Sequence, residues 1–89
     1  MKTTEIATVV ETSGACRVTT ASGSVYDVDT VEGLLHHSPA GGSGSTLILA
    51  GVIHCTVGDR ARFLIDVDAE DTSFAVRETT DVVSIVRLG

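Results

Sequence analysis

The chain has 89 residues and a formal charge of −6, with 12 acidic against 6 basic side chains and no Trp, one Tyr and two Phe in a 43% hydrophobic composition. That length gives one domain with a modest aliphatic core and excludes a cleft between domains. The acidic balance is the wrong sign for binding a phosphate backbone, and no run approaches the roughly 20 apolar residues of a membrane span.

Taken in order, Glu5 to Glu11 (EIATVVE) alternates weakly and is rich in β-branched residues, so it predicts a first strand, ended by Thr12-Ser13-Gly14. Cys16 to Thr20 and Ser24 to Asp29 predict a hairpin. With Ala21-Ser22-Gly23 as a three-residue loop and Gly23 left-handed, Cys16, Val18 and Thr20 share a face with Val28, Tyr26 and Ser24. Arg17, Thr19, Val25, Asp27 and Asp29 then point away. Cys16 and Cys55 both fall on apolar rows and read as reduced, buried small hydrophobes.

Residues 30–46 (TVEGLLHHSPAGGSGST) break every periodicity and hold the single proline and four of the 9 glycines. They predict one long Gly/Ser-rich loop, flexible over about residues 36–46, with Val31, Leu34 and Leu35 as a helical turn or an irregular edge lying on the core.

Thr46 to Asp68 carries the strongest pattern. Leu47, Leu49, Gly51, Ile53, Cys55 and Val57 form one small or apolar row, and Ala61, Phe63, Ile65 and Val67 form another against Arg60, Arg62, Asp66 and Asp68, with Leu64 the apolar exception. A two-residue turn at Gly58-Asp59 would set the dry row on the charged one. A three-residue connection places Val57 by Ala61, Cys55 by Phe63 and Ile53 by Ile65; a corner between two sheets also satisfies the pattern. The string Val57-Gly58-Asp59-Arg60-Ala61-Arg62-Phe63 resembles the VGDxVxF turn of small SH3-like and OB-like barrels, which implies a fold and no activity.

Ala69-Glu70-Asp71-Thr72 predicts a four-residue turn that sets Val67 opposite Phe74 and Ile65 opposite Val76. Thr79-Thr80-Asp81 breaks the pattern. Val82 to Leu88 is a last strand whose inward residues are either Val83 and Ile85 or Val82, Val86 and Leu88. The expectation is therefore a single all-β domain over residues 1–89, a small SH3-like or OB-like barrel or sandwich of six to seven antiparallel strands.

Chemistry is harder to place. His36 and His37, with His54-Cys55, lack the CxxC or HxxxH spacing of a zinc site. Asp66, Asp68, Glu70 and Asp71 begin like a calcium loop, but Asp71 stands where glycine is required and Arg77 where a bidentate Glu is required. The run Gly41-Gly42-Ser43-Gly44-Ser45 is not a GxSxG elbow, and Lys2 is the only lysine, so a phosphate-cradling GxxxxGK[ST] loop is excluded. Asp27 and Asp29 lie on the outward face of a hairpin, where a solvated pair is the plain reading. No enzyme, cofactor or metal is expected.

The stretches Thr19-Thr20-Ala21-Ser22-Gly23-Ser24-Val25-Tyr26-Asp27-Val28-Asp29 and Arg77-Glu78-Thr79-Thr80-Asp81-Val82-Val83-Ser84-Ile85 resemble small all-β proteins encoded by actinobacteria and their phages. The resemblance implies a setting and no activity. The expected function is a non-catalytic protein-binding module, such as a phage-encoded regulator or inhibitor of a host protein. Its partner would meet the 30–46 loop or an exposed strand edge, with His36, His37, Asp66, Asp68, Glu70 and Asp71 as candidate contacts. The alternative is a homo-oligomeric phage head or tail component that packs through Val25, Leu64 or the Val82 to Leu88 strand. An acidic mimic of nucleic acid ranks behind both. The absence of an apolar leader in MKTTEIATVVETSG points to the cytoplasm, or to host cytoplasm or virion for a phage protein, with no membrane or direct nucleic-acid partner.

Overall fold

The computed structural model describes residues 4–68 and 73–88. Its elements are all strands: β1 (Thr4–Glu5), β2 (Ala15–Thr20), β3 (Val25–Asp29), β4 (Leu34–Ser38), β5 (Ser45–His54), β6 (Arg60–Asp68) and β7 (Ser73–Arg87). Every pairing is antiparallel, in the order β7-β2-β3-β4-β5-β6, and β6 returns to β7 to close the ring while β1 adds outside it. The result is an all-β, six-stranded barrel with one extra strand. Among the described residues no helix is long and apolar enough to cross a membrane.

The interior is built from alternate residues of each strand. Phe63, Leu35, Ile85, Val18, Val28, Val82, Cys16 and Cys55 are its largest fully buried side chains, joined by Val9, Tyr26, Leu49, Ala61 and Ile65. Both cysteines are free thiols in this core. Burial raises the Cys16 thiol above its ordinary value, and burial with Cys16 alongside pushes the Cys55 thiol up to about 12. Neither is poised as a nucleophile.

The β2–β3 hairpin follows its sequence pattern. Cys16 pairs with Val28 and Val18 with Tyr26, Gly23 is left-handed at φ 89, and Thr20 N–H donates to Ser24 O at 3.0 Å. Arg17 faces Asp27 on the outside, 2.9 Å apart.

Other expectations are corrected. The first strand stops at Glu5, because the chain then changes partners: Ile6 N–H donates to Ile85 O, whereas Val9 N–H donates to Cys55 O and Thr8 bridges Thr56. Val9 is thereby buried as a plug. The expected loop is interrupted by β4, which pairs with β3 and β5, so the Gly/Ser-rich connection narrows to residues 39–44. Leu34-Leu35-His36-His37 has no alternation to read, since each like pair splits between faces: Leu35 is fully buried and Leu34 is exposed. Val31 is 75% exposed and does not cover the core.

The β5–β6 register also differs. Phe63 pairs with Val52 and Ile65 with Leu49, not with Cys55 and Ile53, because the ladder shifts between Leu49 and Gly51 and again between Val52 and His54. Each extra residue inverts the face that the following side chains take. Val52 thus packs against the core, Ile53 is 54% exposed, and Cys55 returns inside. The chain turns a corner at residues 55–59, with Gly58 at φ 98 donating to Val82 O.

On the far side, Ile65 pairs with Ala75 and Asp66 with Phe74, one residue away from the expected match, with a shift between Asp66 and Asp68. The expected turn at residues 69–72 lies outside the described residues. Thr79-Thr80-Asp81 does not break the strand. β7 is continuous because it serves two neighbours: β6 along residues 73–81, then β2 along residues 82–87. A shift opposite Thr19 and Thr20 makes Val82 and Ile85 the buried pair, which is neither of the two expected parities.

Candidate functional site

Residues paired across neighbouring strands share a face of the sheet. Following the register outward across β4, β5, β6 and β7 gives a row Leu34, Ile48, Asp66, Phe74, and beside it a row Gly51, Leu64, Val76. These side chains stand on the outside of the barrel. Leu34 is 44%, Ile48 50%, Phe74 52% and Val76 57% exposed, and Leu64 is half-buried between them. The face is an apolar strip with one half-buried carboxyl, Asp66, between Ile48 and Phe74.

Two polar borders frame it. On one side Arg62 pairs with Glu78 at 2.9 Å and Arg60 with the same carboxyl at 3.2 Å, and the two guanidinium groups hold Glu78 below the usual carboxylate range. On the other, His36 Nδ1 shares a 2.8 Å hydrogen bond with Thr46 Oγ1, its partner on β5. Gly44 makes that position possible. A Cβ there would lie 2.6 Å from His36 Nε2, so a larger residue in the Gly/Ser stretch would displace the ring.

His37 takes the opposite side of β4 and points into the barrel. Its ring stacks on Tyr26, with centroids 4.4 Å apart and planes 2° from parallel, and Tyr26 in turn leans on Phe63. Arg77 Nη2 donates to His37 Nδ1 at 2.8 Å. A guanidinium has only donors, so Nδ1 accepts and the ring proton sits on Nε2, which is buried with no protein partner. Burial, then the nearby Arg77 and His36 charges, lower the His37 pKa from its ordinary value. β4 and β7 are not neighbours in the ring, so this bond braces the barrel across its interior.

The candidate residues therefore separate. His36 and Asp66 lie on the outer face, and His37 belongs to the interior. Asp68 pairs with Ser73 through the backbone at the end of β6. Glu70 and Asp71 lie outside the described residues. His54 pairs across the ladder with Arg62, one of the border arginines, and its ring lies 3.4 Å from Asp59. Among the described residues no three His, Cys, Asp or Glu side chains are grouped to hold a metal ion.

The principal components of the outer strip, Leu34, Ile48, Phe74 and Val76, are ones that periodicity did not assign to a site. Leu64 as an apolar exception on a charged row, and Ile48 on a mixed one, were the available signals. Phe74 and Val76 carried none, since a one-residue change of register moves them from inside to outside. No family model, curated protein or solved structure matches the chain, so what the barrel does has to be argued from this surface.

Proposed function

We propose that this chain is a non-catalytic module that binds another protein through the outer face of β4 to β7. The observation that carries the reading is the run of exposed large side chains, Leu34, Ile48, Phe74 and Val76, brought side by side by register. Contiguous apolar surface bounded by polar groups is characteristic of protein-interaction sites. The neighbouring ion pairs and the His36–Thr46 bond supply the polar rim such interfaces have. In the phage setting that the resemblance implies, the target would be a host or regulatory protein.

Val76→Ser and wild type, immobilised side by side, test this against lysate of the native host. A partner retained by wild type and lost with Val76→Ser is expected, given matching amide spectra for the two proteins. Equal retention by both would remove the face from consideration.

Self-assembly is the second reading, motivated by Val57 (41% exposed) and Val83 (54%), which flank a hollow with Ile6 and Ala7 on another side of the barrel. A sedimentation mass of one chain at high concentration would exclude it.

A further inference from the structure

The inward rows of β5, β6 and β7 run past the end of the packed core. Leu47 pairs with Leu35, Ile65 with Ala75 and Phe63 with Arg77, on the side of the sheet where Leu35, Ile65 and Phe63 are buried. Ala75 is nevertheless exposed, and Val67 is 61% exposed. Leu47, Ile65, Val67, Ala75, Val76 and Arg77 line a hollow of about 180 Å³ at this end of the barrel. An apolar cavity of about 150 Å³ accepts benzene, so the hollow matches a group of about six carbons and falls short of the roughly 300 Å³ that a drug-sized ligand needs.

We propose that this hollow binds a small aliphatic monocarboxylate, its chain on Leu47, Ile65, Val67 and Ala75 and its carboxylate on Arg77. The site is distinct from the outer strip and does not rest on the protein-binding reading. Arg77 is half-buried, and the acceptor it meets, His37 Nδ1, belongs to a neutral ring, so that bond leaves the guanidinium charge whole. Among the described residues the arginine ion pairs involve Arg17, Arg60 and Arg62, not Arg77. The further N–H groups of a guanidinium form a fork that matches a carboxylate, and a charge-assisted bond in a partly dry site is stronger than one in water. A neutral chain entering the hollow would take water from that charge and return nothing, and an ammonium would be repelled. Asp66, the neighbour of Val67, stands on the opposite face of the sheet, and salt screens the rest of the −6 charge beyond about 8 Å.

The test follows the amide resonances of the full chain at neutral pH during titration with hexanoate, hexanol, hexylamine and acetate. Hexanoate is expected to give saturable shifts at Leu47, Ile65, Val67, Ala75 and Arg77. It should bind about tenfold or more tightly than hexanol, the margin of one charged hydrogen bond. Hexylamine and acetate, with the wrong charge and no chain respectively, should give no saturable shift. Arg77→Met should bring hexanoate down to the level of hexanol. Ala75→Leu, which adds bulk to the hollow and leaves the Arg77–His37 bond in place, should abolish binding of both. If Arg77→Met fails to fold, Ala75→Leu and the alcohol comparison decide. Equal affinity for hexanoate and hexanol, hexanoate binding unchanged in either folded variant, or no saturable shift at all would overturn the proposal.

Discussion

The β2–β3 and β6–β7 hairpins belong to one barrel and present similar interiors, but their outer faces differ. Outside β2–β3 the chain places Arg17 against Asp27 and Thr19 against the half-buried Val25, with Asp29 alongside. Outside β6–β7 it places Leu64 against Val76 and Asp66 against Phe74. The inner rows of both hairpins, Cys16, Val18, Tyr26 and Val28 in the first, Ala61, Phe63 and Ile65 in the second, are buried and supply the cohesion. The first hairpin carries a mainly polar exterior, with Val25 its one large apolar side chain. The exposed side chains of the second, Phe74 and Val76, have few counterparts on the first, which is the physical ground for assigning them to a partner.

The largest effect that can break this comparison comes from the two phenylalanines. Phe63 is fully buried, and Phe63→Ala should destabilise the chain by about 3–5 kcal/mol through lost burial and a residual cavity. Phe74 is 52% exposed, and Phe74→Ser should stay within about 0.5 kcal/mol. Chemical denaturation of both variants checks the pair; similar losses would mean that the outer face does help to hold the fold.

A smaller effect sharpens the hairpin side. Gly23 sits at φ 89, where an L side chain is strained, and its Cβ would come to 3.4 Å from Ala40. Gly23→Ala should cost about 1 kcal/mol, from backbone strain with only ordinary contact added. An unchanged denaturation midpoint would count against the three-residue loop.

The smallest expected effect is pH-dependent and concerns His37, where β4 meets β7 across the interior. Its pKa is lowered, so between the folded and unfolded values the unfolded chain binds more protons. Stability from this group is complete above about pH 6.5, the ordinary imidazole value, and falls as the pH drops through the folded one. Protonation of Nδ1 would also end its acceptor role toward Arg77. His37→Gln keeps an acceptor and removes the titration, so its melting temperature should fall less than that of wild type between pH 7 and pH 5. Parallel curves would show that the brace does not titrate.

Much of the fold was legible in particular residues. Cys16-Arg17-Val18 against Tyr26-Asp27-Val28 encodes a hairpin whose register follows from alternation and a three-residue loop. The same logic marked Ala61, Phe63, Ile65 and Val67 as interior, and the first three are buried whereas Val67 is 61% exposed. It failed at Ile53, Val57, Phe74 and Val76, all exposed, and in choosing the inward residues of the last strand. There an extra residue in the ladder, needed where long strands bend around the ring, inverts the facing of all that follows. The candidate site was less legible still. Asp66 and His36 were singled out as possible contacts, but the apolar strip that joins them was not, and His37 was grouped with His36 although the two take opposite faces of β4.

The all-β class, the β2–β3 pairing and the inward facing of Cys16, Val18, Tyr26, Val28, Ala61, Phe63 and Ile65 were determined by the sequence alone, because alternation and turn chemistry act between near neighbours. Which apolar side chains stay outside, and the bond from Arg77 to His37 across 40 residues, were decided only when the ring closed. Closure sets where bulges fall and which strands face each other, and neither property is stored in any short stretch of chain.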